Sequence, residues 1–152
     1  MNKKIKSTIF FKNYTKNLNR TLNTINLNKL NLICKILEEK ILNDDQIFIA
    51  GNGGSGSVAN HFLCDFNKGI KISSKNKLMP KVISLSNSIE LITAISNDLS
   101  FKKIFSFQLN NYVKKNDCLI LLSCSGTSKN IIQAISEAKK KIKNNTYHWF
   151  FK

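Results

Sequence analysis

The stretch IFIAGNGGSGSVANHFLCDF, residues 47–66, decides how the rest of the chain is read. It opens on Gln46-Ile47-Phe48-Ile49-Ala50, a short apolar run bounded by turn residues, as expected of a strand buried in a parallel sheet. Glycines at 51, 53, 54 and 56, with Ser55 and Ser57, then leave a loop almost bare of side chains. From Ser57 to Asn67 the spacing turns helical, with Val58, Phe62 and Phe66 expected inward. His61 and Asp65 stand at i and i+4, so both side chains lie on one face of that helix. Cys64, near that face, is expected to pack against the sheet.

Working outward, Ile9, Phe10, Tyr14, Leu18 and Leu22 recur every three to four residues and predict an amphipathic helix. Leu27 to Leu42, with Leu30, Ile33, Ile36, Leu37 and Ile41, predicts a second, ended by Asn43-Asp44-Asp45. Downstream, residues 71–79 read as a polar loop just before the only proline, Pro80. Val82 to Leu85 predicts a second strand. Ile89 to Ile95 and Phe101 to Tyr112 predict helices joined by a turn at Ser96-Asn97-Asp98. Asp117 to Leu122 is the third strand; it runs into Ser123-Cys124-Ser125-Gly126-Thr127-Ser128, and a helix follows from Lys129 to Ile142.

Strands alternating with helices imply right-handed βαβ units. The expected fold is α/β: a three-layer α/β/α sandwich on a parallel, flavodoxin-like sheet, with the first strand central and beside the third. The chain reads as one domain, 1–152, made of N-terminal helices (1–43), an α/β core (44–143) and an atypical tail (144–152). The tail, TYHWFFK, shows neither strand alternation nor a glycine turn where such a fold would add a strand. The sheet is therefore expected to be incomplete at its C-terminal end.

Composition narrows the function. The 152 residues carry a formal charge of +15. The lysines are scattered, however, and Arg20 is the only arginine, whereas readers of phosphates and bases rely on arginine's bidentate fork. Nucleic acid is not expected as a partner. No segment approaches the roughly 18 apolar residues of a membrane span. The four cysteines, Cys34, Cys64, Cys118 and Cys124, form no C-x-x-C pair, which fits a reduced, cytoplasmic setting.

Both serine-rich loops follow the carboxyl end of a strand and precede a helix, the place where open α/β sheets bind ligands. Backbone N–H groups and the positive end of the helix dipole attract anions there. Taken singly, each loop could be a tight turn whose serine caps the helix. Residues 51–56 also match G-x-G-x-x-G, but no acidic residue lies between Asp65 and Glu90 to hold a ribose, and neither loop ends in G-K-[ST]. Two serine loops on one sheet suit a small phosphate ester. His61 and Asp65 could share a divalent metal or act as an acid/base pair. Cys124 has no histidine placed in sequence to activate it as a nucleophile, His148 standing in the tail.

In combination, GNGGS followed by the helix bearing His61, Ser96-Asn97-Asp98, and SCSGTS before the last helix resemble the SIS (sugar isomerase) domain, and within it the phosphoheptose isomerase type. The resemblance runs from about Phe10 to Ile142 and includes the two N-terminal helices. It implies an aldose–ketose isomerase acting on a phosphosugar such as sedoheptulose 7-phosphate, in heptose and lipopolysaccharide precursor synthesis, cytoplasmic and homo-oligomeric (a tetramer in the family). It further implies that Asn52, Gly53 and Gly54 contact the substrate, with Ser55 close by, and that Asn97 and Asp98 face the sugar. Ser123, Cys124, Ser125 and Ser128 match the phosphate loop. His61 matches a zinc ligand, and Asp65 stands where the family has a glutamate that is both ligand and base.

Two departures accompany the match. Asp65 is one methylene shorter than that glutamate. The family continues into a strand and a long helix carrying a glutamine and a histidine that complete the metal site, and TYHWFFK matches neither. A truncated chain that binds zinc weakly and turns over little substrate is therefore expected. The other readings are a non-catalytic phosphosugar-binding module and an inactive fragment.

Overall fold

The computed structural model describes residues 6–142. It divides into two compact units, Met1–Lys35 and Ile36–Lys152. In the first, α1 (Ser7–Asn23) has no buried residue, and Ile9, Phe10, Tyr14, Leu18 and Leu22 are all exposed. The side chain of Asn26 accepts a bond from the Lys29 N–H and so starts α2 (Leu27–Leu42).

The second unit is built on a parallel sheet of order β2-β1-β3, formed by β1 (Gln46–Gly51), β2 (Lys81–Ser84) and β3 (Cys118–Leu122). The flavodoxin-like order with β1 central is the one the sequence predicts. Side chains of a strand alternate between faces. Phe48 and Ala50 therefore enter one core, with Ile83, Leu119 and Leu121; Ile47 and Ile49 enter the other, with Val82, Cys118 and Ile120. The first core is covered by α5 (Ile89–Asp98), α6 (Ile104–Tyr112) and α7 (Lys129–Lys141), through Ile95, Phe105, Leu109 and Ala134. The second is covered by Ile36, Leu37 and Ile41 of α2 and by α3 (Gly54–Cys64), through Ala59, Phe62 and Leu63. Helices on both faces of a sheet are the three layers expected. Full burial of each large side chain contributes about 1.5–3 kcal/mol, and Phe48, Ile47 and Ile49 have no accessible surface.

Polar groups tie the strand starts together. The buried Asp117 carboxylate accepts from the Gln46 N–H at 3.0 Å and the Lys114 N–H at 2.7 Å. Buried Lys40 donates to Asp45 at 3.2 Å.

Several local expectations are corrected. Val58 is exposed and Gly56 and Ala59 are buried instead. The phase of α3 is set by the close approach of Gly56 to strand β1: a Cβ there would stand 2.8 Å from the Gly51 carbonyl oxygen. Cys64 is exposed; its neighbour Leu63 faces the sheet. The helix does not stop at Asn67. It passes through a π-helical turn, Asp65–Ile70, into α4 (Lys71–Ser73), so the expected loop begins only after Ser73, where Lys75 and Asn76 take positive φ. Ser96, Asn97 and Asp98 form the last turn of α5 rather than a break after Ile95. A 3-10 turn, Phe101–Lys103, leads into α6. No described helix is long and apolar enough to cross a membrane. The tail reading for 144–152 and His148 lie outside the described residues.

Candidate functional site

The register Gly51↔Leu122 sets the carboxyl ends of β1 and β3 side by side, so the loops leaving them share one end of the sheet. The first loop is shaped by two glycines. Gly53 takes φ +52, a conformation few other residues adopt without strain. At Gly51 a Cβ would stand 2.6 Å from the Ser55 carbonyl carbon, so only glycine lets the loop fold back so tightly. Around Gly53 and Gly54, by contrast, an added Cβ would meet nothing within 4 Å; that side of the loop faces open space.

Neither helix takes a side-chain bond from its N-cap residue, although in α7 the Asn130 side chain accepts from the Ile131 N–H. Gly53 precedes α3 and Ser128 precedes α7. The turn-with-cap explanation of the serines therefore does not describe this structure. The N–H groups of Gly54 and Ser55 have no intrahelical acceptor, which leaves donors and a positive dipole end directed at the same region. In the second loop, Ser123 Oγ accepts from the Gly126 N–H at 3.1 Å and Ser125 Oγ from the Thr127 N–H at 3.3 Å. Each oxygen thus serves as an acceptor and keeps a hydroxyl proton of its own to donate. Cys124 and Ser125 are exposed, and Ser123 and Ser128 are half-buried.

Two residues absent from the sequence reading hold the first loop. Ser86, after β2, donates through Oγ to the Gly51 carbonyl at 2.8 Å and accepts from the Gly51 N–H at 3.1 Å. Asn130, in the first turn of α7, exchanges two bonds with the side chain of Asn52, at 2.9 and 2.7 Å. Ser86 follows a strand's carboxyl end and could have been suspected on that ground. Nothing local distinguishes Asn130 from other polar residues in a first helical turn.

His61 and Asp65 do come together, with Nε2 and Oδ2 3.5 Å apart, and both side chains are largely exposed. At a rise of 1.5 Å per residue, His61 stands about 10 Å along the axis from Gly54, the first residue of α3. A ligand touching both loop and pair must be elongated. Asn97 donates to the Asp98 carboxylate at 2.8 Å, both residues are exposed, and no described hydrogen bond joins either to the serine loops.

A parallel sheet of order 2-1-3 with two serine loops leaving neighbouring strands at one end defines an open α/β domain. The sequence profile of the SIS domain matches residues 10–142, and the chain belongs to that family. A phosphoheptose isomerase of Campylobacter concisus is 36% identical over 114 residues, 75% of this chain and 59% of that protein. One from Helicobacter pylori is 39% identical over 104 residues, 68% of this chain and 53% of that protein. The chain thus spans little more than half the length of these relatives. Among solved structures, a phosphoheptose isomerase from Francisella tularensis superposes with a TM-score of 0.77 at 26% identity, covering 93% of this chain and 72% of that one. That from Neisseria gonorrhoeae, also at 0.77 but 24% identical, covers 90% and 71% and speaks to the fold alone.

Proposed function

We propose that this chain carries the ligand-binding part of an aldose–ketose isomerase for a phosphosugar such as sedoheptulose 7-phosphate. The observation that supports this most directly is the pair of serine loops at the ends of neighbouring strands, which leaves N–H donors, hydroxyl protons and two helix dipoles for one phosphate ester. The similarity to phosphoheptose isomerases supplies the substrate class. In this reading Ser123, Ser125 and Ser128 hold the phosphate, and Asn52, Gly53, Gly54 and Ser55 hold the sugar. Cys124 adds a backbone N–H. Asn97 and Asp98 contribute from the end of α5.

Isomerisation moves a proton between adjacent carbons through an enediol, and a carboxylate within reach of the carbon-bound proton can take it up and return it. Asp65 fills that role, with His61 beside it as the group that orients the carboxylate. Cytoplasmic heptose and lipopolysaccharide precursor synthesis is the setting we assign to the activity. Assembly into a homo-oligomer is supported by the apolar stripe of α1.

The family resemblance also brings zinc, and His61 and Asp65 are donors of the kinds zinc takes. Two donors do not make a zinc site, which takes three or four protein ligands. Among the described residues no group of three or more His, Cys, Asp or Glu side chains is placed to hold a metal. Weak zinc binding that is lost in His61→Ala is the expected behaviour of this pair.

The test is a calorimetric titration of the 152-residue chain with sedoheptulose 7-phosphate, alone and against inorganic phosphate, followed by a coupled assay of conversion. Binding that phosphate displaces, and that falls by about a hundredfold or more in the Ser125→Ala/Ser128→Ala double variant, is expected from the loss of two hydrogen bonds to a charged group. A folded chain with no affinity for the sugar phosphate would sink the reading. Binding without conversion, unchanged in Asp65→Asn, would select a non-catalytic binding module instead.

A further inference from the structure

A buried carboxamide is costly unless its hydrogen bonds are made. Asn130 is 1% exposed, yet its side chain makes three: it donates to Asn52 Oδ1 at 2.7 Å, and accepts from Asn52 Nδ2 at 2.9 Å and from the Ile131 N–H at 3.0 Å. The partner sits 78 residues away, in the glycine loop after β1. Two amides joined edge to edge fix each other's plane and decide which end of each is nitrogen and which oxygen. A carboxamide has two N–H donors and two acceptor lone pairs. Asn52 spends one of each on Asn130. It is left with one donor and one acceptor, on a half-buried side chain next to Gly53 and Gly54, around which the loop faces open space. No other described hydrogen bond holds the Asn52 side chain.

We propose that Asn130 is a positioning residue for ligand selection: through the reciprocal amide pair it holds Asn52 so that its remaining N–H and lone pair meet a hydroxyl group of the ligand. A hydroxyl both donates and accepts, so this edge favours a polyol phosphate over a bare phosphate or an alkyl ester. The pair also ties the two loops to one another, because Asn130 belongs to the helix that leaves the second loop while Asn52 belongs to the first. Pre-setting the amide in the free protein removes an ordering cost from binding. This proposal rests on the reading of the two loops as a phosphosugar site.

The experiment is a double-mutant cycle on the full chain, made of wild type, Asn130→Ala, Asn52→Ala and the double variant, each titrated with sedoheptulose 7-phosphate and with inorganic phosphate. Asn130→Ala is expected to weaken sugar-phosphate binding about three- to tenfold, the scale of one or two neutral hydrogen bonds. It should leave inorganic phosphate within about twofold and add nothing further in the Asn52→Ala background. A purely structural residue would weaken both ligands and keep its effect when Asn52 is gone. Unchanged sugar-phosphate affinity in Asn130→Ala, or an equal loss in both backgrounds, overturns the proposal and leaves the phosphosugar reading standing. Wild type that binds inorganic phosphate but not the sugar phosphate overturns that reading, and this proposal with it. Should Asn130→Ala fail to fold by circular dichroism, Asn130→Asp keeps both acceptor bonds and loses only the donor, and its added charge is measured in the Asn52→Ala background. If that variant also unfolds, the residue is structural and the proposal is wrong.

Discussion

Cys118 puts a thiol into the body of the sheet at the start of β3. Burial pushes its pKa from 9.0 up to about 11; Lys40 pulls the other way, and Asp117 adds to the rise. The folded state thus favours the protonated thiol more than the unfolded chain does. Its contribution is fully present below pH 9 and is lost as pH climbs toward 11, a change of roughly 2–3 kcal/mol. The comparison is with Cys118→Ala. The loss of stability between pH 8 and 10.5 in urea melts should be smaller in that variant by about 2 kcal/mol. Parallel pH profiles would show that the thiol has the same pKa in the folded and unfolded chain. The reach of sequence reasoning is visible at this scale too. Spacing put His61 and Asp65 on one face because both belong to one helix. It missed Asn130 and Ser86 because their partners lie 78 and 35 residues away. It placed Val58 inward because it could not see Gly56 seated on the Gly51 carbonyl.

At the scale of elements, the π-helical turn Asp65–Ile70 has an evident use. Within it, Asn67 donates to the Val82 carbonyl and accepts from the Val82 N–H, both at 2.9 Å. Val82 lies on β2, at an edge of the sheet, and a side-chain amide here stands where a further strand would pair. Unpaired edges invite association with other chains. Asn67→Ala removes both bonds and should cost about 1–3 kcal/mol in chemical denaturation. Asn67→Asp, which keeps only the acceptor, should fall between. A loss below about 0.5 kcal/mol in Asn67→Ala would mean that water satisfies the edge equally well. The strands and both long N-terminal helices were legible because each is a short apolar run or a sustained period of three to four. The π turn was not, because one extra residue per turn is a response to packing and leaves no periodic trace.

For the whole molecule, the open question is what covers α1. Phe10, Tyr14, Leu18 and Leu22 form an exposed apolar stripe, and Phe10 and Tyr14 stack with ring centroids 6.3 Å apart. Contiguous apolar surface of this kind is usually buried by association. The chain is expected to run as a dimer or larger species in light scattering at micromolar concentration, and Leu18→Lys should shift it toward monomer without lowering ligand affinity per chain. A monomeric wild type would count against assembly through this helix.

The strand order has a consequence in time as well as in space. β1 meets β2 across a separation of about 35 residues but must wait for β3 across about 71, and contacts of longer sequence separation are slower to form. The two serine loops become neighbours only when that second pairing closes. Phosphate in a stopped-flow experiment should therefore slow unfolding while leaving the refolding rate nearly untouched. Acceleration of refolding by phosphate would mean that the loops meet before the β1–β3 pairing is complete.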